Sequence, residues 1–418
     1  MRVVFFLLDA FKEEYVSKEQ TPFLYKKSKE GVYIKKLIPS AGFCERTEIF
    51  FGLKPNESGF FTAIGFDQEN GAYNNRFFLS LLGWIEQKLS LLVYVINKKN
   101  KNSFDSLLQK VLNKIYFKFI GSSEKLKPYK IPLSFLKYFN LTEDAIELHK
   151  QGVIKGKESL FKIVKDMGFD TFMEAFTSLG AVSTKNDFER IKIALEASKS
   201  KNNLFIPIYI NTADSIGHSH GPSSKKIKGE IKELDNLIEN SVGEFLKNDP
   251  ETSFVFLGDH GMSEVKKSID VKMHVLDISK KFNLKIGKDF IFFLDSTLMR
   301  MWFFTSNSRE IFERELKTND FFTQNGDVLD EKIASKYDIP INDIRYGDIC
   351  WWVNEGVLIF PDFFHSDKPF KGMHGYKPNT QSTYGTCVLW SKESKKQKID
   401  KLELSQIYLL LKKMLLVS

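Results

Sequence analysis

Cysteine is scarce. The 418 residues contain three, Cys44, Cys350 and Cys387, widely separated and with no Cys-x-x-Cys pair. That spacing excludes a disulfide framework and a thiolate zinc site, and it fits a reducing compartment. Long hydrophobic runs are missing too. No stretch reaches the roughly 20 apolar residues that a membrane-crossing helix requires. The N-terminal run Val3–Leu8 ends on Asp9 and is too short for a secretory leader with a cleavage site. A buried first strand and a cytoplasmic protein are expected. The apolar segment from Ile407 to Val417 is interrupted by Lys412 and Lys413. It reads as a C-terminal core helix, with attachment to a membrane surface as the lesser alternative. Internal repeats and low-complexity tracts are absent. Charge of one sign is only mildly in excess: 61 Lys and Arg against 53 Asp and Glu leave +8. The lysines are spread along the chain, and clusters such as Lys98-Lys99-Asn100-Lys101 read as solvated loops. This argues against a nucleic-acid groove, while a mild positive field would still draw in an anionic substrate.

Histidine is sparse as well, with seven residues, but three of them fall in glycine-flanked motifs. These are Asp214-Ser-Ile-Gly-His218-Ser-His-Gly-Pro222, Gly258-Asp259-His260-Gly261 and Gly372-Met-His374-Gly375. With Asp9, this makes six metal-type ligands: Asp9, Asp214, His218, Asp259, His260 and His374. Three carboxylates and three imidazoles suffice for two divalent cations with an open position on each, equipment for chemistry on a phosphate or sulfate ester. Asp214 and His218 are read as sharing one loop, with Gly217 permitting a tight turn. His149, His274 and His365 lack such surroundings and are read as structural. His220 stays ambiguous.

A length of 418 residues suits one large α/β domain with an inserted subdomain, or two domains. Val3–Leu8, Leu204–Ile210, Phe254–Leu257 and Val357–Phe360 look like strands buried on both faces. The first three lead into Asp9, Asp214 and Asp259, and in open α/β sheets ligands bind beyond the carboxyl ends of strands. Ile227, Ile231, Leu234, Ile238, Val242 and Phe245 keep helical spacing and predict an amphipathic helix over about 226–247. Glu45 to Phe51 predicts a short helix. The expected fold is α/β, a central mixed, mostly parallel sheet between helices. The core is placed at 1–74 and 201–418, with a mainly helical cap insertion at 75–200 and a second, smaller insertion at about 271–370.

These motifs, in this order, resemble the alkaline phosphatase superfamily, and within it the nucleotide pyrophosphatase/phosphodiesterase branch. The resemblance covers residues 1–60, 203–262 and 372–378. It implies two metal triads, Asp214/His218/His374 and Asp9/Asp259/His260, each for one ion, usually zinc, with manganese as the alternative. It also implies a Ser or Thr nucleophile at the start of the helix after the first strand. There the chain departs from the pattern: in register, the nucleophile position falls on Gly42, and the Asn that would bind a phosphoryl oxygen falls on Glu45. Three readings stay open. Cys44 attacks, activated at a helix N-terminus beside metal; Ser40 attacks from a refolded loop; or a metal-bound hydroxide attacks directly. Arg46 is a candidate for binding a substrate anion, or it pairs with Glu48. The resemblance implies a hydrolase of phosphodiester or pyrophosphate bonds, acting on a small phosphate ester or a nucleotide. Two alternatives remain: a phosphomonoesterase, phosphonate hydrolase or phosphoryl transferase working on a glycan or lipid precursor, and a non-catalytic metal-stabilised binding protein. Oligomeric state stays open, a homo-oligomer included.

Overall fold

The computed structural model describes residues 2–73, 76–96, 111–112, 114–115, 126–127, 129–176, 185–200 and 202–417. The chain forms two compact units: Met1–Phe61, Ile146–Glu264 and Phe370–Ser418 in the first, Thr62–Ala145 and Val265–Pro369 in the second.

The first unit is built on a seven-stranded sheet. Its order is Gln397–Glu403, Val32–Ile38, Gly385–Trp390, Ser253–Gly258, Arg2–Leu8, Leu204–Ile210, Asp170–Thr171. Arg2–Leu8 runs parallel to both Leu204–Ile210 and Ser253–Gly258, while Gly385–Trp390 is antiparallel to its two neighbours. The sheet is therefore mixed and mostly parallel, as the resemblance implies. Every residue of Arg2–Leu8 is buried. Successive side chains on a strand point to opposite faces, so Val4, Phe6 and Leu8 enter one core and Val3, Phe5 and Leu7 the other. A strand buried on both faces reads as a continuous apolar run.

Helices cover each face. Lys225–Asn248 lays Ile227, Ile231, Leu234, Ile238, Val242 and Phe245 on the first core. Glu45–Phe51, Leu160–Asp166 and Ile407–Val417 close the second. Ile407, Tyr408, Leu411 and Leu415 are buried there, so the last helix is a core helix. Lys412 and Lys413 fall outside that buried set, as its helical spacing allows. No helix among the described residues is long and apolar enough to cross a membrane.

The division into units departs from the expected boundaries. Residues 146–200 belong to the first unit, because the helix Leu160–Asp166 buries Leu160, Phe161, Ile163 and Val164 in the second core, where Phe161 packs 4.6 Å from Phe50. The part before residue 146 joins 265–369 instead. There Phe135 and Phe139 make edge contacts with Phe292 and Phe293 of a four-stranded sheet ordered Phe290–Leu294, Leu298–Phe303, Ile349–Val353, Gly326–Val328. Aromatic side chains far apart in sequence set this grouping, and no local pattern announces it. Val357–Ile359 likewise pairs only with Lys267–Ile269 in a two-stranded ribbon, outside the main sheet where an apolar run had placed it.

Candidate metal centre

The first strand ends at Leu8, and the Asp9 backbone N–H donates to the Ile210 carbonyl at 2.9 Å. Asp259 follows the strand Ser253–Gly258, and its Oδ1 accepts the N–H groups of Ala10 and His260 at 3.2 and 2.9 Å. Two neighbouring parallel strands thus deliver Asp9 and Asp259 side by side. His260 completes the group, with Nε2 3.2 Å from Asp9 Oδ1 and 3.8 Å from Asp259 Oδ1.

Asp214 and His218 do not share a loop. They lie on the helix Thr212–His220, four residues apart and hence on one face, with His218 Nε2 3.1 Å from Asp214 Oδ1. Gly217 sits inside this helix and makes no turn; a Cβ there would lie 2.5 Å from Met262 Sδ. Its smallness serves close packing. His374 arrives from a third direction. It follows the two-residue strand Gly372–Met373, which pairs antiparallel with Ser263–Glu264, and its Nε2 lies 3.6 Å from Asp214 Oδ1. One ligand atom from each of Asp214, His218 and His374 lies within 4.8 Å of the others, and the same holds for Asp9, Asp259 and His260. The rings of His260 and His374 stack at 4.3 Å, so the two groups adjoin.

The donor set fits divalent cations. His218 Nδ1 donates to the Gly372 carbonyl and His260 Nδ1 to the Gly261 carbonyl, both at 2.9 Å. Each bond fixes a tautomer whose Nε2 lone pair faces the carboxylates, an arrangement metal-ligating histidines commonly adopt. Asp214 Oδ1 is buried without a hydrogen-bond partner, which is costly unless something positive approaches it. Ionisation tells the same story. Burial pushes Asp259 up to about 7. Burial also raises Asp9, but the hydrogen bond and charge of His260, with help from Tyr209 and Arg46, bring it down on balance. Burial lowers His218 and His260, and the facing carboxylates outweigh it, so both end above the usual imidazole value. Burial and the charges of His260 and His218 hold His374 well below it. Without metal, the facing carboxylates thus favour the protonated forms of His218 and His260. Metal ligation requires neutral imidazole, so a bound cation would take the place of those protons.

Other residues support the site and carry no motif. The Tyr209 hydroxyl donates to Asp9 Oδ2. Asp187 accepts from the backbone N–H of Asn211 and Thr212 and from the Thr212 hydroxyl, which anchors the start of the helix bearing Asp214 and His218. In sequence, Asp187 looks like an ordinary first-turn acid after the N-cap Asn186, and Tyr209 is one more residue of an apolar strand. Arg46 stands over the Phe176 ring at 5.6 Å, close enough for its charge to lower Asp9. His149, His274 and His365 join neither group: His274 stacks on Phe321, and His365 Nδ1 is 3.5 Å from Asp362. His220 ends its helix with Nδ1 2.7 Å from Ser219 Oγ.

A cleft beside the two groups is lined by His260 and His374 and, from the loop before the helix Glu45–Phe51, by Ser40, Gly42 and Glu45. Cys44 is absent from that lining; it is the buried N-cap of the helix. Gly42 has φ +103°, and a Cβ on it would lie 2.0 Å from the Phe61 carbonyl oxygen. The loop is shaped around a glycine at the expected nucleophile position. Gly42→Thr, which restores a hydroxyl there, should therefore lower stability by about 2–5 kcal/mol and yield no added turnover. Chemical denaturation and a phosphodiester assay check this; a stable, more active variant would contradict it.

The fold is that of the alkaline phosphatase superfamily. It superposes on murine ectonucleotide pyrophosphatase/phosphodiesterase 5 with TM-score 0.66 and 14% identity, covering 99% of this chain and 95% of that one. The human protein of the same name matches with the same score and identity over 100% and 96%. An inactive threonine-to-alanine variant of the murine protein in complex with AMP matches over 99% and 94%. A family model for type I phosphodiesterase / nucleotide pyrophosphatase matches residues 3–377, so the chain belongs to that family. GPI ethanolamine phosphate transferase 1 of Mus musculus is 29% identical over 89 residues, 18% of this chain and 10% of that protein. The Aspergillus oryzae protein is 26% identical over 155 residues, 32% of this chain and 14% of its own length. The chain thus spans only a small fraction of these curated relatives.

Proposed function

We propose that the chain is a two-metal hydrolase of phosphodiester or pyrophosphate bonds in a nucleotide or nucleotide-linked substrate. The observation that carries this is the pair of adjoining Asp/His groups with one imidazole of each facing the same cleft. Asp214, His218 and His374 would hold one ion and Asp9, Asp259 and His260 the other. The mixed imidazole and carboxylate donor set suits zinc, with manganese next. When bound, such ions supply charge neutralisation and polarisation of a phosphoryl group. The chain's part is to hold six donors in place: two strand ends, one helix face and one ribbon fix them, and Tyr209 and Asp187 brace two of those elements. The AMP complex of the murine relative supports a nucleotide ligand.

A second reading is transfer of the phosphoryl group to an acceptor hydroxyl instead of water. The stretches shared with GPI ethanolamine phosphate transferases favour it.

The test removes and restores metal. Chelator-treated protein should lose turnover of bis(4-nitrophenyl) phosphate and of ATP, and zinc or manganese should restore it. Turnover of 4-nitrophenyl phosphate should be at least about tenfold lower. Elemental analysis showing no bound metal, with no activity after its addition, would sink the proposal. Faster monoester turnover would move the assignment to a phosphomonoesterase.

A further inference from the structure

The loop that has no side chain at Gly42 carries a serine two residues earlier. Ser40 lines the cleft together with His260 and His374, one imidazole from each Asp/His group. Its Oγ donates to Glu48 Oε2 at 2.7 Å, and its backbone N–H donates to Glu48 Oε1 at 3.2 Å. One carboxylate therefore fixes both the main chain and the hydroxyl. Glu48 is only 2% exposed and sits in a helix whose next residues, Ile49, Phe50 and Phe51, are buried apolar side chains. A carboxylate in such a place is costly. The serine hydroxyl ends against it while Ser40 itself is only half-buried. Two other hydroxyl-bearing residues line the cleft, Tyr376 and Thr383; Tyr376 carries a phenol, and Thr383 donates to the Thr380 carbonyl at 2.7 Å and belongs to its own turn. Cys44 is turned into the protein.

We propose that Ser40 is the nucleophile of this chain and that Glu48 is the base that takes its proton. The inference rests on the phosphodiesterase reading above. In the first step the Ser40 Oγ–P bond forms and the bond from phosphorus to the leaving oxygen breaks. The Oγ proton passes to Glu48 Oε2. The leaving oxygen departs as an anion, which pyrophosphate tolerates as it stands and an alkoxide relieves by taking a proton from water. In the second step a water oxygen bonds to phosphorus, the P–Oγ bond breaks, and Ser40 recovers its proton from Glu48. The surplus water proton goes to solvent. A hydrogen bond of 2.7 Å already sets donor and acceptor at the reach that general base catalysis needs.

The experiment uses the metal-loaded protein with bis(4-nitrophenyl) phosphate and ATP. Acid quenching during turnover, followed by peptide mass mapping, should place a 4-nitrophenyl phosphoryl group on Ser40. Ser40→Ala should lose at least about 10³-fold in turnover while keeping its metal content and melting behaviour. Glu48→Gln, which keeps an acceptor for the hydroxyl, should lose about 10²–10⁴-fold and flatten the acidic limb of the pH profile of kcat/KM; a merely structural glutamate would move the melt and leave that limb in place. Should Ser40→Ala fail to fold, Ser40→Cys and the wild-type adduct position decide. An adduct on Cys44 or elsewhere, turnover with no adduct at any residue, or Ser40→Ala within tenfold of wild type each overturns the assignment and leaves the phosphodiesterase reading standing. A wild type that turns over neither compound overturns that reading and the assignment with it.

Discussion

Asp214→Asn should lose one of two metal equivalents and about 10³-fold in turnover, since a Lewis-acid cation supplies several kcal/mol to the reaction and 1.36 kcal/mol corresponds to tenfold. Asp214 Oδ1 stands 3.1 Å from His218 Nε2 and 3.6 Å from His374 Nε2. Both imidazoles thus face this carboxylate oxygen, which is buried without a hydrogen-bond partner. The amide is nearly isosteric, so the variant should fold and melt close to wild type. It lacks the charge that holds a cation between two neutral imidazoles. Elemental analysis and the diester assay together check this. A variant that keeps both metals and full turnover would show that the Asp214 group has no part in the chemistry.

Arg300→Met should destabilise the second unit by about 3–5 kcal/mol at neutral pH, the range seen when one partner of a buried ion pair is removed. Arg300 is wholly buried. Its Nε donates to Asp295 Oδ2 at 2.8 Å, its Nη2 to Asp295 Oδ1 at 3.3 Å and its Nη1 to the Ile64 carbonyl at 2.7 Å. Burial already raises the Asp295 carboxyl, with Arg300 opposing that rise. Without the guanidinium the rise would be larger. A carboxyl whose pKa is higher folded than unfolded binds more protons in the native state, so its ionisation removes stability as pH increases above the unfolded value of about 4. The deficit of Arg300→Met should therefore shrink between pH 7 and pH 5. Adding Asp295→Asn should recover part of it, because no charge is then left stranded. Denaturant melts at the two pH values measure both effects. A deficit that grows on acidification, or a double variant worse than Arg300→Met alone, would refute the argument.

Much of the first unit was legible in the chain because its signals are local. A run buried on both faces, such as Val3–Leu8, needs no partner to be recognised as a central strand. The stripe from Ile227 to Phe245 marks its helix in the same way. The six acidic and imidazole residues stood out because histidine is rare here and three histidines fall between glycines. Their two groups of three followed from the family pattern, and the fold brings those same groups together. Local reading went astray where geometry depends on a neighbour. Gly217 read as a turn residue, yet it lies in a helix that must pass close to Met262. Val357–Phe360 read as a sheet strand, yet the register available to it is with Lys267–Ile269. Residues 146–200 read as part of an insertion, yet their aromatic and aliphatic side chains complete the core against Phe50 and Phe205.

The nucleophile loop shows the same division most sharply. Sequence alone established that position 42 is glycine, that Ser40 and Cys44 flank it, and that six residues of metal-ligand type fall in the family's motifs. It put Cys44 first, as a thiol that a helix N-terminus beside metal would activate, and left Ser40 and a metal-bound hydroxide as the other readings. In the folded chain Gly42 takes a left-handed backbone beside the Phe61 carbonyl, Ser40 lies on the cleft wall where Cys44 does not, and the helix that follows brings Glu48 back to the serine hydroxyl. Strand periodicity, helical stripes and residue chemistry are written along the chain. Which side chains face one another across a loop depends on backbone torsions and on atoms many residues away, and only the folded chain supplies those.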